Sequence, residues 1–120
     1  GLTVALNTMG FLYSCGIAVD RDYGIAMDWY LKAVDRDDDD ASYNIGILYR
    51  NGIGGDPAYK EAMDIFRDAL DEDPAAMYCM GILHENGWGV DRNRKEAVRW
   101  YEKAAKLNYT YAKNKLYGGL

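Results

Sequence analysis

Apolar positions recur along this chain at spacings of three and four residues. Leu6, Met9, Leu12 and Tyr13 mark one such stretch, from about Thr3 to Cys15. This is the period of an amphipathic helix, not the alternation of a strand. After a polar break a second stripe follows, Ala26, Trp29, Tyr30 and Ala33, and it returns as Ala97, Trp100, Tyr101 and Ala104. The whole arrangement then repeats. Ala5 to Tyr13 aligns with Ala41 to Tyr49 and with Ala76 to His84, so the step is 36 residues from Gly10 to Gly46 and 35 from Gly46 to Gly81. Ala26, Ala62 and Ala97 coincide, as do Tyr30, Phe66 and Tyr101. A period of this size predicts an all-α solenoid of helix pairs, in which each unit buries its faces against its neighbours.

The punctuation agrees with three units. Gly16, Gly52 and Gly87 stand where a helix C-terminus takes a left-handed residue. Asp22, Asp56-Pro57 and Asn93 stand where each second helix opens. Asp37, Asp73 and Asn108 occupy the turns between units and tolerate left-handed backbone. The expected organisation is one domain over residues 1–120, with units at about 3–37, 38–73 and 74–108. A shorter helix at about 109–117 closes the C-terminal end.

The run Gly87-Trp88-Gly89-Val90-Asp91, followed by Lys95-Glu96-Ala97-Val98-Arg99-Trp100-Tyr101-Glu102-Lys103-Ala104-Ala105, resembles the Sel-1-like repeat, a relative of the tetratricopeptide repeat. The resemblance extends over essentially the whole chain and is closest in the third unit. Ala18 departs from it where a loop glycine belongs, Ile65 where the second helix carries Trp, and His84 where Tyr stands. It implies a right-handed α–α superhelix whose first helices line a concave groove. It also implies a non-enzymatic role in gathering a protein or peptide partner. By that geometry the groove carries Asn7, Phe11 and Ser14, then Tyr43, Ile47 and Arg50, then Tyr78, Ile82 and Glu85, with Thr8, Asn44 and Cys79 beside them. Phe11, Ile47 and Ile82 would form an apolar ladder flanked by side chains able to bond a peptide backbone. Arg50 opposed by Glu85 disfavours a C-terminal carboxylate as ligand.

Composition narrows the function classes. The net charge of −5 lacks the basic footprint of a general nucleic-acid binder. No apolar run approaches the ~18 residues of a membrane span. Residues 1–40 carry eight acids and three bases, residues 41–75 seven and three, and residues 76–120 four and eight. Two cysteines and one histidine supply neither a disulfide scaffold nor a zinc set, and no cofactor is expected. A cysteine-rich branch of the family staples its helix pairs with disulfides, and this chain lacks that spacing, so a hydrolase reading drawn from that branch is remote. His84 reads as an interhelical side chain, and Cys79 as a buried or groove-lining thiol. The acidic run Asp35 to Asp40 reads as a solvated turn. A calcium loop counted from Asp35 would place Gly46 where a bidentate Glu is required. No secretory signal pattern opens the chain, and the compartment is left open. The apolar start Leu2-Thr3-Val4-Ala5-Leu6, with Tyr109, Tyr111, Leu116 and Tyr117 near the end, predicts self-association through the array's ends, with a homodimer favoured.

Overall fold

The computed structural model describes residues 1–118. It consists of α1 (Leu2–Cys15), α2 (Tyr23–Val34), α3 (Asp39–Ile53), α4 (Lys60–Glu72), α5 (Pro74–Asn86), α6 (Arg94–Lys106) and α7 (Thr110–Tyr117), with a 3₁₀ turn at Pro57–Tyr59. Among the described residues there is no strand. The fold is an all-α solenoid of helix pairs.

Units one and three are built by the same device. Gly16 and Gly87 end their helices in left-handed conformation, at φ 69 and φ 73. That placement lets two successive N–H groups reach one carbonyl: Gly16 and Ile17 bond Leu12, while Gly87 and Trp88 bond Leu83. The loop then returns to the helix it has just left. The N–H of Asp22 donates to Tyr13 O and that of Asn93 to His84 O, both at 2.9 Å. The Asp22 and Asn93 side chains cap α2 and α6 by accepting from Ile25 and Glu96 N–H. Each pair therefore folds back on itself, and the Tyr30 and Tyr101 rings lie on Gly10 and Gly81. A Cβ at either glycine would run into the ring.

Unit two keeps the helix stripes and loses the device. Gly52 stays helical, α3 runs on to Ile53, and the turn comes at Gly54-Gly55, where Gly55 has φ 88. This corrects the expectation that Gly52 ends the helix. Where units one and three have Val19 and Val90, Arg21 and Arg92, then Asp22 and Asn93, unit two has Gly55, Pro57 and Ala58. The apolar anchor and the capping side chain are both missing. Asp56 caps only the 3₁₀ turn, accepting from Ala58 N–H at 3.0 Å, and α4 begins at Lys60.

The next turn differs as well. Asp37 and Asn108 adopt the expected positive φ, but Asp73 sits at φ −95, ψ 113. Pro74 is the cause, because a residue before proline is pushed to extended backbone. Asp73 instead caps α5, accepting from Ala75 N–H, so a single residue joins α4 to α5.

The third unit is consequently slipped. Repeat register places Trp88-Gly89 beside Ile53-Gly54, yet they pack on Gly46, about two helical turns back. A Cβ on Gly46 would lie 2.8 Å from the Trp88 carbonyl oxygen. Phe66, the register mate of Tyr30 and Tyr101, meets Tyr49 edge-on with centroids 5.7 Å apart. The core is closed by Ala26, Ala62 and Ala97, whose small side chains let helices cross closely, and by Met27, Tyr30, Ile45, Phe66 and Leu83.

The terminal helix does more than cap. Tyr109 and Tyr111 bring their rings 5.6 and 6.0 Å from Tyr78, and Lys115 Nζ lies 3.8 Å from Glu85 Oε1. Tyr78, Ile82 and Glu85 lie on one side of α5 at i, i+4 and i+7, and the Tyr109 and Tyr111 rings and Lys115 meet that side at Tyr78 and at Glu85.

Candidate functional site

The residues expected to line one continuous groove divide into two sets. Phe11, Tyr43 and Ile47 are open, at 49%, 48% and 36% exposure, and Arg50 and Thr8 are exposed beside them. Tyr78, Cys79 and Ile82 are buried at 2% or less. The three-step ladder is corrected to two steps, because the third unit's share is buried, with Tyr78 against Tyr109 and Tyr111 and Cys79 against Ser42 of α3.

Units one and two do stand in register. Asn44 Nδ2 donates to Asn7 Oδ1 at 3.1 Å across α1 and α3. Tyr23 and Tyr59, equivalent positions one repeat apart, stack at 4.1 Å with planes 12° apart, and Tyr59 donates to the Tyr23 hydroxyl. Asn51 Nδ2 donates in turn to the Tyr59 hydroxyl. Between the helices is a cavity of about 240 Å³ bounded by Phe11, Ser14, Cys15, Tyr23, Tyr30, Asn44, Ile47, Leu48 and Tyr59. Ser14 Oγ donates to Phe11 O and shares a 3.3 Å hydrogen bond with the Tyr30 hydroxyl. Burial raises the Tyr30 pKa, so its hydroxyl is neutral near pH 7. The cavity thus has apolar sides and a floor of neutral hydroxyls, suited to a side chain entering from a peptide laid over the face.

Asn7, Thr8, Phe11, Ser14, Tyr43, Asn44, Ile47 and Arg50 therefore share one surface. Arg50 lies at its far end, bordering a shallow depression of about 510 Å³ that Gly87, Gly89, Val90 and Asp91 complete. Glu85 does not oppose Arg50. It accepts from the Tyr101 hydroxyl and faces Lys115. Sequence reasoning missed Cys15, Tyr23, Tyr30, Leu48 and Tyr59 as part of the cavity. The 36-residue spacing of Tyr23 and Tyr59 was the available signal.

The remaining candidates take structural places. Burial pushes the Cys79 thiol up to about 12, against a smaller opposing effect from Ser42, so it is protonated at neutral pH and is no nucleophile. His84 Nδ1 donates to Asp91 O at 3.3 Å and tethers the α5–α6 loop. The acidic turn is more than solvated: Asp37 accepts from Tyr78 at 2.7 Å and Asp35 from Tyr109 at 3.1 Å, while Asp38 caps α3. Burial and then the neighbouring Asp37 raise the pKa of Asp39. Among the described residues no three His, Cys, Asp or Glu side chains gather as a metal site. No helix of the described residues is long and apolar enough to cross a membrane.

A family model described as the Sel1 repeat matches residues 3–38, 39–72 and 74–109. The crystal structure of a Sel1 repeat protein from Oxalobacter formigenes is 34% identical, with a TM-score of 0.43 over 94% of this chain and 45% of that one. That of c5321, described as a protective antigen present in uropathogenic Escherichia coli strains displaying an SLR fold, is 33% identical, with a TM-score of 0.44 over 95% of this chain and 25% of that one. The chain spans less than half the length of both. Among curated proteins, none matches it.

Proposed function

The chain belongs to the Sel1 repeat family, whose members generally act as non-enzymatic protein-interaction scaffolds, and we propose that it does so through the face formed by α1 and α3. The observation that carries this reading is that exposed Phe11 and Ile47 and the Asn7–Asn44 pair stand at a hydroxyl-floored cavity, with Tyr43 exposed one turn before Ile47 and edge-on to Trp88. Apolar side chains would supply the contact area, and the amides would hold a partner's backbone. A peptide array probed with the wild type, with Phe11→Ala and Ile47→Ala, and with Ile17→Ala as an exposed apolar control tests it. The reading expects the first two substitutions to remove most binding and the third to leave it. Binding insensitive to Phe11→Ala and Ile47→Ala overturns it.

Exposed apolar groups at the two ends of the array favour a second reading, self-association. Leu2 and Val4 stand open on α1, and Leu107 and Tyr117 stand open at the other end. A two-fold dimer through one end is the expected form. Light scattering over a range of concentrations decides it, since a monomeric mass throughout would end this reading.

A further inference from the structure

The face across α1 and α3 has a charged end, and the chain itself shows what such a surface accepts. Asp39 and Asp40 are exposed at the start of α3. Helical spacing places Tyr43 and Asn44 one turn beyond them and Ile47 two turns beyond, along one side. Asp37 and Asp38 adjoin them. The nearby cations are Arg36, whose Nε donates to Thr3 Oγ1, and Lys115, which faces Glu85 and also acts on Asp39. The bonds that Asp35 and Asp37 receive come from neutral tyrosines and cancel no charge. Residues 1–75, which hold the whole face, carry fifteen acids against six bases.

On the third unit, the register mates of Tyr43 and Arg50, Tyr78 and Glu85, are met by the terminal segment of the chain. The segment from Tyr109 through α7 carries Lys113 and Lys115 and no acid, and it brings Tyr109 to Asp35, Tyr111 to Tyr78 and Lys115 to Glu85. A cationic, aromatic segment is what the acidic, apolar face accepts from its own chain.

Resting on the reading of this face as the binding surface, we propose that its open part takes an extended peptide of the same chemistry. An apolar anchor enters the cavity beside Ile47, and a basic residue faces Asp39 and Asp40. Geometry sets the spacing. The seven helical residues from Asp40 to Ile47 rise about 10 Å, which an extended chain covers in about three residues. The partner is a basic peptide with its charge about three positions from an apolar anchor.

Short blocked peptides with one fixed leucine, and with arginine or glutamate walked through the other positions, test this against the wild type, Asp39→Asn/Asp40→Asn and Phe11→Ala/Ile47→Ala. Asp38 keeps its capping role in the doubly neutralised variant, and a melting curve confirms its fold. The arginine peptides should bind best at three positions from the leucine. The best of them should weaken roughly fivefold in Asp39→Asn/Asp40→Asn, with a similar loss for the wild type at high salt. Preference for glutamate, or indifference to where arginine stands, overturns the charge inference; if Phe11→Ala/Ile47→Ala still abolishes that binding, the face itself survives as the site. Binding that ignores Phe11→Ala/Ile47→Ala, or no binding by any of these peptides, overturns both.

Discussion

Units one and three end their first helices on a left-handed glycine and close each pair by laying a tyrosine ring on a second glycine. Unit two has glycines at both positions and does neither. Gly52 is absorbed into α3, Gly46 is met by the Trp88 main chain, and Phe66 turns to Tyr49. The helix stripes of the three units are alike, so the stripes do not decide this. The connectors do. Gly55, Pro57 and Ala58 remove the anchor and the cap, and Pro74 reduces the next link to Asp73 alone. Register along a solenoid is thus set by a few loop residues, and here the first helices of units one and two keep exposed apolar positions that the third unit buries.

The largest expected effect separates the tyrosine cluster where the third unit meets the terminal segment from the rest. Burial, and then neighbouring carboxylates, raise the pKa values of Tyr78, Tyr101 and Tyr109 above the ordinary tyrosine range. The folded state therefore keeps these protons longer than the unfolded chain does. Their contribution is fully present below about pH 10 and is lost as pH rises beyond it. The last part of the tyrosinate absorbance should appear together with the loss of helical circular dichroism in one cooperative step, less steep in Tyr101→Phe. Ionisation of all tyrosines near pH 10 with helix content intact would break this part of the comparison.

Next in size are the ring-bearing glycines. Gly10→Ala and Gly81→Ala should each cost about 3 kcal/mol by forcing a buried ring off its helix, measured by denaturant unfolding. Gly46→Ala should act differently, by displacing the α5–α6 loop, and should register as a change in Trp88 fluorescence. A smaller effect, about 1 kcal/mol of stabilisation, is expected from giving unit two the connector of unit three through Gly55→Val, Pro57→Arg and Ala58→Asn, which restores the cap. Backbone chemical shifts should then show Gly52 left-handed. A helical Gly52 in that variant would mean the connector is not the cause.

The smallest effect is expected at Ala18, which occupies with φ 65 the left-handed position that Gly89 holds with φ 78. Ala18→Gly relieves that strain and, after the added freedom of the unfolded chain, should gain about 0.5 kcal/mol.

Most of the helical architecture was legible because it rests on local chemistry. Asp22 and Asn93 cap as their positions predict, Gly16 and Gly87 turn left-handed, and Ala26, Ala62 and Ala97 are buried at the crossings. The face was legible only for two units. Tyr43 and Tyr78 hold the same repeat position, as do Ile47 and Ile82, yet one of each pair is open and the other buried. Their difference lies in what packs over them, for Tyr78 the rings of Tyr109 and Tyr111, and no pattern within a single helix carries that information. Asp73 is the exception that a local rule could have settled, because Pro74 follows it.

The central claim is that the proposed binding face is centred on α1 and α3, and that the third unit reaches it only at the Tyr43 and Arg50 margin. Amide chemical-shift mapping of the intact protein, titrated with a short blocked peptide bearing arginine three positions from leucine, tests it most directly. The account predicts the largest shifts at Phe11, Asn44 and Ile47, with Tyr78, Cys79 and Ile82 unmoved. Shifts running equally along α5 would contradict it.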